Sequence, residues 1–543
     1  MKTRLLCALC AFFPLSLLAA KVHKITPITT DKDIRIEVML SAEANESLSL
    51  DAVITHARNK AILCSHSGEF YFKNKVDTTV VWKIDQLTPE LWSPVNPALY
   101  DLEVKAGTET LHKRIGFRKF EMRDGVFYLN DKPIYLRGNA INPPERGIPE
   151  QLERSKDFAR DYVRFMKSLN INIIHIPDDK NWMDVCDEEG MMIFAGRYGR
   201  PKHATKTAPP TDFDLSLRTY KEIDLGPFTP HPSVVIYILS NEMPYEGKTG
   251  DLYREFLTKM CRELKKWDDT RLYIGNTGYG LGHSGDIYDV HRYWGWYYNT
   301  FLTYLNMRDK AMWQNPGRVQ PITFTECVGN YTGIDGRFNL CSRTKQPGSQ
   351  KCWTGHLPDD EQAGAAMTYQ AFVLKNATEL FRRLRSQNSC LAGTMPFTII
   401  FHNWDGVKSF AEMKPKPVAW QYQISYQPVL LSWENWQSQI YAGSKLAVVA
   451  HVVNDDDYGN DLDEVHLQWW IEKEGEKVLA GEIDLPSVPY YGTCKRPLSI
   501  DIPQNLPSGD YMLKGEIWSK GSKVSYNAVS YTHLRAHETV LDL

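Results

Sequence analysis

A chain of 543 residues is longer than one hydrophobic core serves, so several domains are expected. With 43% hydrophobic and 24% charged residues and a net charge of −3, the composition is that of an ordinary soluble globular protein. That balance gives no electrostatic case for nucleic acid or an anionic membrane surface as a partner.

The chain starts with Lys2 and Arg4, an apolar run from Leu5 to Leu18 and the small pair Ala19-Ala20, which read as an export signal over 1–20. The run contains Pro14 and is too short to span a bilayer comfortably; a retained anchor is the alternative. No later stretch is long and apolar enough for a transmembrane helix, and no lipid-accepting cysteine motif is present. The expectation is export, to a periplasm or the extracellular space. Of the ten cysteines, Cys7 and Cys10 lie in this leader, and the rest show no CxxC and no zinc-type spacing. Cys341 and Cys352 flank a polar loop, a spacing open to a local disulfide in an oxidising compartment.

Residues 21–118 alternate with period two, as in Ile34-Arg35-Ile36-Glu37-Val38 and Leu99-Tyr100-Asp101-Leu102-Glu103-Val104, and predict an antiparallel sandwich. From 119 to 430 the pattern changes to strands alternating with helices. The strands are expected at Ile134–Asn139, Asn172–Pro177, Met191–Gly196, Val234–Glu242, Leu272–Asn276, Ile287–Trp294, Ile322–Glu326 and Gly393–Trp404. Helical patterns at Glu153–Leu169, Leu252–Lys266 and Glu361–Gln387 lie between them. Eight such strands are the count of a (β/α)8 TIM barrel; a doubly wound open sheet is the alternative, disfavoured by the lack of a glycine-rich phosphate loop. Alternation returns over 431–530, predicting a second sandwich. Residues 531–543 continue no pattern and read as an irregular, non-native tail, so the natural protein is expected to be longer.

Two of the expected strands end on glutamates: His231-Pro232-Ser233-Val234-Val235-Ile236-Tyr237-Ile238-Leu239-Ser240-Asn241-Glu242 and Pro321-Ile322-Thr323-Phe324-Thr325-Glu326. A carboxylate at the end of a buried strand needs partners or a function, and the carboxyl ends of barrel strands are where chemistry sits. Two carboxylates so placed match the requirement of glycoside hydrolysis.

With these residues in view, the chain resembles glycoside hydrolase family 2, the β-galactosidases, β-glucuronidases and β-mannosidases. The resemblance is carried in order by Leu91-Trp92-Ser93-Pro94-Val95-Asn96-Pro97-Ala98-Leu99-Tyr100, Ile115-Gly116-Phe117-Arg118, Leu129–Asn139, Asp184–Gly190 and the block 231–242. It implies immunoglobulin-like sandwiches flanking a (β/α)8 barrel. It also implies that Glu242 is the general acid/base and Glu326 the nucleophile of a retaining mechanism, with their carboxyls about 5–5.5 Å apart. Nearby Glu326 is expected to raise the pKa of Glu242 and keep it protonated.

Substrate-binding candidates follow. Asn241 resembles the family's amide donor to the sugar 2-hydroxyl. His291 and Tyr293 share a face of the sixth strand, and Tyr293 is placed to hold Glu326 ionised. Trp404 is expected as a floor under the sugar, with Trp296 and Trp182 as weaker platforms. Asn139 and His175 complete the set, on the first and second strands. His175 stands where the family commonly has an arginine, Ala195-Gly196-Arg197 where many members have an acidic residue, and Asn139–Gly147 departs from a histidine-containing loop. These departures put the sugar in question more than the reaction. The family's N-terminal jelly roll has no counterpart in the span before the barrel, which suggests a more open pocket. No metal-ligand cluster is visible and no cofactor is expected. The expectation is therefore an exported retaining β-glycosidase acting on terminal sugars of an oligo- or polysaccharide, β-galactosidase-like by family frequency. The alternatives are an endo-acting hydrolase of the same barrel clan and a non-catalytic carbohydrate-binding relative.

Overall fold

Period-two alternation in the first hundred residues builds two antiparallel sheets. In the computed structural model, one sheet joins Lys21–Thr29, Ile34–Ala42 and Val76–Ile84. The other runs in the order Ile62–Phe72, Glu46–His56, Tyr100–Ala106, Glu109–Ile115. Ile34, Ile36, Val38 and Leu40 of the first sheet are buried, as are Leu48, Leu50, Ala52 and Ile54 of the second, while the residues between them are less covered. This is the inner-face pattern of a sandwich. The structure describes residues 20–107, 109–140, 148–177, 179–278, 285–292, 319–329, 359–386, 390–398, 400–401, 406–437 and 439–534. It divides into two units, Met1–Pro89 with Leu99–Ile115, and Glu90–Ala98 with Gly116–Leu543.

The second unit holds eight parallel strands: β1 (Leu136–Asn139), β2 (Ile173–Ile174), β3 (Met192–Gly196), β4 (Val234–Ile238), β5 (Leu272–Ile274), β6 (Tyr288–Arg292), β7 (Ile322–Cys327) and β8 (Leu391–Thr394). They are ordered β5-β4-β3-β2-β1-β8-β7-β6. The remaining seam is bridged by Asp286 N–H to the Tyr273 carbonyl at 2.8 Å and His291 N–H to the Gly278 carbonyl at 3.0 Å. The result is a TIM barrel. Every residue of β4 and β7 is buried, which explains their unbroken apolar character: strands of a parallel sheet are covered on both faces.

The strands lie where the alternation put them, and most are shorter. Ile134, expected to open the first barrel strand, instead ends Lys132–Ile134, which pairs antiparallel with Val126–Leu129, itself paired with Phe120–Arg123. The expected Val234–Glu242 strand ends at Ile238, and Gly393–Trp404 is replaced by Leu391–Thr394. Helix α1 (Lys156–Ser168) buries Phe158, Ala159, Tyr162, Val163 and Met166 on one face and is capped by Ser155, which accepts from Phe158 N–H. Helix α2 (Lys180–Glu189) ends on Gly190 at φ +70°, where a Cβ would lie 2.4 Å from the Pro94 carbonyl oxygen, so only glycine fits.

A second sandwich completes this unit. One sheet contains Val429–Glu434, Lys445–Asn454 and Thr493–Asp501. The other runs Gln439–Tyr441, Ser522–Leu534, Gly509–Ser519, Val465–Lys473, Glu476–Leu485. Its last strand continues to Leu534, pairing Tyr531 with Tyr511 and His533 with Gly509, so the expected irregular tail does not begin at 531. The sandwich is tied to helix α3 (Asp359–Leu384) by Arg382, whose guanidinium lies 2.9 Å from Asp455. Among the described residues no helix is long and apolar enough to cross a membrane.

Candidate active site

Glu242 lies four residues beyond β4, and the chain bends sharply to place it. Leu239 N–H still bonds the Ile274 carbonyl at 3.0 Å, extending the ladder, and Glu242 N–H bonds the Thr277 carbonyl at 3.1 Å. At Glu242 the backbone turns left-handed, φ +49°, a conformation that costs a non-glycine residue about 1–3 kcal/mol. Asn276 holds the bend from both sides. Its Oδ1 accepts from Ser240 Oγ at 3.0 Å and Met243 N–H at 2.9 Å, and its Nδ2 donates to the Met243 carbonyl at 3.1 Å.

Glu326 is the fifth residue of β7. Thr323 pairs with Asp289 of β6, but Glu326 pairs with His291, so one extra residue is accommodated on β7 between them. A bulge of this kind re-aims a side chain, and here it brings Glu326 to the His291 imidazole. His291 Nδ1 lies 2.8 Å from Glu242 Oε1 and 3.4 Å from Glu326 Oε2. One atom from each of Glu242, His291 and Glu326 lies within 4.8 Å of the other two, so the carboxylates approach one another from strand ends far apart in sequence. Exposure differs across the cluster: the Glu242 side chain is 43% exposed, that of Glu326 11% and that of His291 4%.

Below the imidazole sits a fully buried carboxylate. Asp289 accepts from Thr323 Oγ1 at 2.6 Å, Thr325 N–H at 3.2 Å, Thr325 Oγ1 at 2.6 Å and Gly278 N–H at 2.9 Å. Thr325 has one hydroxyl proton and gives it to Asp289. Facing His291 Nε2 at 3.1 Å, the same oxygen can only accept, so Nε2 carries a hydrogen. One further proton is then shared between Nδ1 and Glu242. Gly278 makes room for this ring: it sits at φ +95°, and a Cβ there would lie 2.6 Å from His291 Nδ1.

The electrostatics follow from the geometry. The hydrogen bond from His291 holds the Glu242 carboxyl below its ordinary value, against partial burial. Burial alone would lower the His291 pKa, but the Glu326 charge, the Glu242 hydrogen bond and Asp289 outweigh it and raise it. This corrects the expectation that Glu326 would raise Glu242. The imidazole stands beside both carboxylates, and in the resting site it is the proton holder. The cluster also offers a ligand set that metal-motif spacing in the sequence could not reveal, because its members come from separate strands. The hydrogen bonding through both imidazole nitrogens makes it an acid–base cluster.

The other sequence candidates are distributed as follows. Asn241 is partly buried; its N–H bonds the Gly199 carbonyl at 3.0 Å and its Oδ1 accepts from Thr277 Oγ1. Asn139 is 1% exposed, and its amide donates to the Thr398 carbonyl at 3.2 Å and Tyr422 Oη at 3.1 Å. His175 is buried with its ring 4.5 Å from that of Tyr198 and 5.5 Å from that of Phe194, and burial pushes its pKa down to about 4. Trp182 is buried and donates to the Glu153 carbonyl at 2.8 Å, a core role. Tyr293, Trp296 and Trp404, like Cys341 and Cys352, lie outside the described residues.

Sequence reading missed Asp289, Thr325, Gly278, Asn276 and Tyr198. The alternations Asp289-x-His291 and Thr323-x-Thr325 were the available signal, since period two puts each pair on one face of its strand. The Tyr198 hydroxyl, just beyond β3, is buried without a hydrogen-bond partner among the described residues. Burial, then the nearby Glu326 and Asp289 charges, push its pKa up and keep it a donor.

Comparison with known proteins agrees with this architecture. The family model for glycosyl hydrolases family 2 matches residues 20–118, and the model for that family's TIM barrel domain matches 120–212. A putative beta-glucuronidase of Formosa agariphila is 26% identical over 280 residues, 48% of this chain and 32% of that protein. A beta-galactosidase of Leuconostoc mesenteroides is 27% identical over 191 residues, 33% of this chain and 18% of that protein. The chain thus spans a third or less of the length of either relative. Among solved structures, the beta-D-mannosidase of Dictyoglomus thermophilum has a TM-score of 0.62 at 14% identity, covering 95% of this chain and 66% of that one. The beta-glucuronidase of Parabacteroides merdae has a TM-score of 0.56 at 17% identity, with the same coverages. At these identities the structural likeness concerns the fold.

Proposed function

We propose, from the match of residues 20–118 and 120–212 to the glycosyl hydrolases family 2 models, that this chain is a retaining β-glycosidase of that family in which Glu326 is the nucleophile and Glu242 the acid/base. The observation that carries the reading is the approach of the two glutamates, with one oxygen of each within 4.8 Å of the other. Double displacement calls for carboxyls about 5–5.5 Å apart, whereas an inverting pair stands about 6.5–9.5 Å apart to admit a water.

In the first step the Glu326 carboxylate attacks the anomeric carbon while Glu242 gives its proton to the leaving oxygen. The glycosidic C–O bond breaks and an ester to Glu326 forms. A water then attacks the same carbon and loses a proton to Glu242, and the ester breaks to return Glu326 as a carboxylate. His291 is the positioning residue: the proton it holds on Nδ1 passes to Glu242 Oε1 as the leaving oxygen approaches. Glu242 Oε2 has no hydrogen-bond partner among the described residues.

The substrate in this reading is a terminal β-linked sugar of an oligo- or polysaccharide, with galactoside as the first to try, and the leader over 1–20 supports export to a periplasm or the extracellular space. An endo-acting variant is favoured by one observation: an acid/base carboxylate 43% exposed suits a chain passing through as well as a chain end. The test is nitrophenol release from aryl β-galactoside, β-glucuronide, β-mannoside and β-glucoside, with Glu326→Gln as control. Turnover of one sugar that falls at least about 10⁴-fold in the variant is expected; equal turnover by parent and variant would remove Glu326 from the mechanism.

A further inference from the structure

The segment joining β3 to the next helix, Phe213–Thr219, is unusually basic for a chain of net charge −3. Residues 197–211 carry Arg197, Arg200, Lys202, His203 and Lys206 and no carboxylate. Arg197 is engaged by Asp224, with 3.6 Å between Nη1 and Oδ1. Arg200, Lys202 and Lys206 are exposed, and among the described residues none of them makes an ion pair. Cations left unpaired on one loop project a local positive potential that a net charge near zero conceals.

The loop is fastened to the candidate site at one end and to a long helix at the other. Arg197 N–H bonds the Ile238 carbonyl at 2.8 Å, at the end of β4, and the Gly199 carbonyl accepts from Asn241 N–H at 3.0 Å, one residue before Glu242. Farther along, Tyr253 Oη, on the helix Gly247–Trp267, donates to the Thr205 carbonyl at 2.7 Å and lies 3.0 Å from that of Ala208. The Thr205 hydroxyl accepts from Ala208 N–H at 3.0 Å, closing the turn. At Gly199 itself a Cβ would meet nothing within 4 Å, so the space beside the Asn241 contact is open. The Gly199 end of the loop is therefore bonded one residue before Glu242, with Arg200 next in the chain.

We propose that this loop is a binding surface for anionic glycan, and that the polymer taken by the site carries carboxylate or sulfate groups. The inference rests on the glycosidase reading and adds the substrate class. Arg200 offers a planar fork for either anion, and Lys202 and Lys206 add point charges along the chain. Exposed pairs of this kind are individually weak and screened by salt, so the surface selects and steers more than it anchors.

The test separates the two anions and separates this claim from turnover. The full chain carrying Glu326→Gln is titrated calorimetrically with two matched pairs: a sulfated galactan oligosaccharide before and after desulfation, and a uronate oligosaccharide before and after carboxyl reduction. At low salt the charged member of at least one pair should bind about tenfold more tightly than its neutral partner, the product of three exposed ion pairs. That preference should vanish in about 0.5 M salt and in the Arg200→Ala/Lys202→Ala/Lys206→Ala variant, with the thermal midpoint unchanged. The pair that responds identifies sulfate or carboxylate as the anion recognised. Equal binding within both pairs, binding of neither, or an unaltered preference in the triple variant would overturn the proposal. Aryl-glycoside turnover by the triple variant in the Glu326 background should match the parent. Absence of turnover in the parent, with charge-selective binding intact, would count against the glycosidase reading alone.

Discussion

A histidine meets a carboxylate at each end of the barrel, and the two pairs have opposite fates. Before β4, His231 Nδ1 lies 2.6 Å from Asp187 Oδ2, with side chains 9% and 2% exposed. Asp187 Oδ1 accepts from Ser233 N–H at 3.1 Å and Ser233 Oγ at 2.6 Å, so both its oxygens are used. Helix α2 is thereby pinned to the start of β4, and Trp92 adds a bond to the Asp187 carbonyl at 2.9 Å. Beyond β4, His291 meets Glu242 at a similar distance, yet that carboxylate is 43% exposed and its Oε2 is unbonded among the described residues. The sealed pair can only hold structure, because nothing can reach it. The open pair is strained at φ +49°, shares a proton and faces solvent, the conditions under which a carboxylate can exchange that proton with a ligand.

The comparison breaks most sharply at the open carboxylate. Glu242→Gln removes the proton donor, and general acid catalysis is worth about 10²–10⁴-fold, so kcat/KM should fall by that factor on poor leaving groups and by much less on activated aryl glycosides. Equal losses for both leaving groups would deny Glu242 the acid role. Asp187→Asn should do the converse. It leaves Ser233 and His231 with poorer partners in a dry site, costing about 3 kcal/mol of stability in denaturant unfolding, while turnover below the transition stays near that of the parent. A variant of unchanged stability would show that the sealed pair contributes little.

The finest distinction is the proton on His291. Its pKa is raised in the folded state, so the stability it contributes is full below about pH 6.5, the ordinary histidine value, and is lost as pH rises through the folded value. The alkaline limb of kcat/KM belongs to the coupled His291–Glu242 pair. His291→Asn leaves the carboxyl to titrate alone, and the limb should move to lower pH by about two units, the gap between ordinary histidine and glutamate values. Gly278→Ala, whose Cβ would lie 2.6 Å from Nδ1, should displace the ring and move the limb the same way. A limb that stays fixed in both variants would show that His291 does not hold the catalytic proton.

Much of the fold could be read from residues because local patterns dictate it. The unbroken apolar runs at Val234–Ile238 and Ile322–Cys327 announce buried parallel strands, and the alternation at Ile34–Leu40 announces a half-buried one. Strand ends were less legible. The ladder past Ile238 is replaced by bonds from Asn276 and Thr277, which no pattern within residues 234–242 encodes. The two glutamates were legible as strand-end carboxylates, but their electrostatics were not. His291, Asp289 and Thr325 meet Glu242 and Glu326 through a bulge between β6 and β7, a cross-strand event with no local signature. The setting of Asn139 was hidden for a related reason: its amide partners, Thr398 and Tyr422, come from the far end of the barrel sequence.

The most direct test of double displacement at Glu326 and Glu242 is the anomer first released from a turned-over β-glycoside, followed by proton NMR before mutarotation. Carboxylate oxygens within 4.8 Å of one another predict the β anomer as first product. The α anomer appearing first would contradict the account.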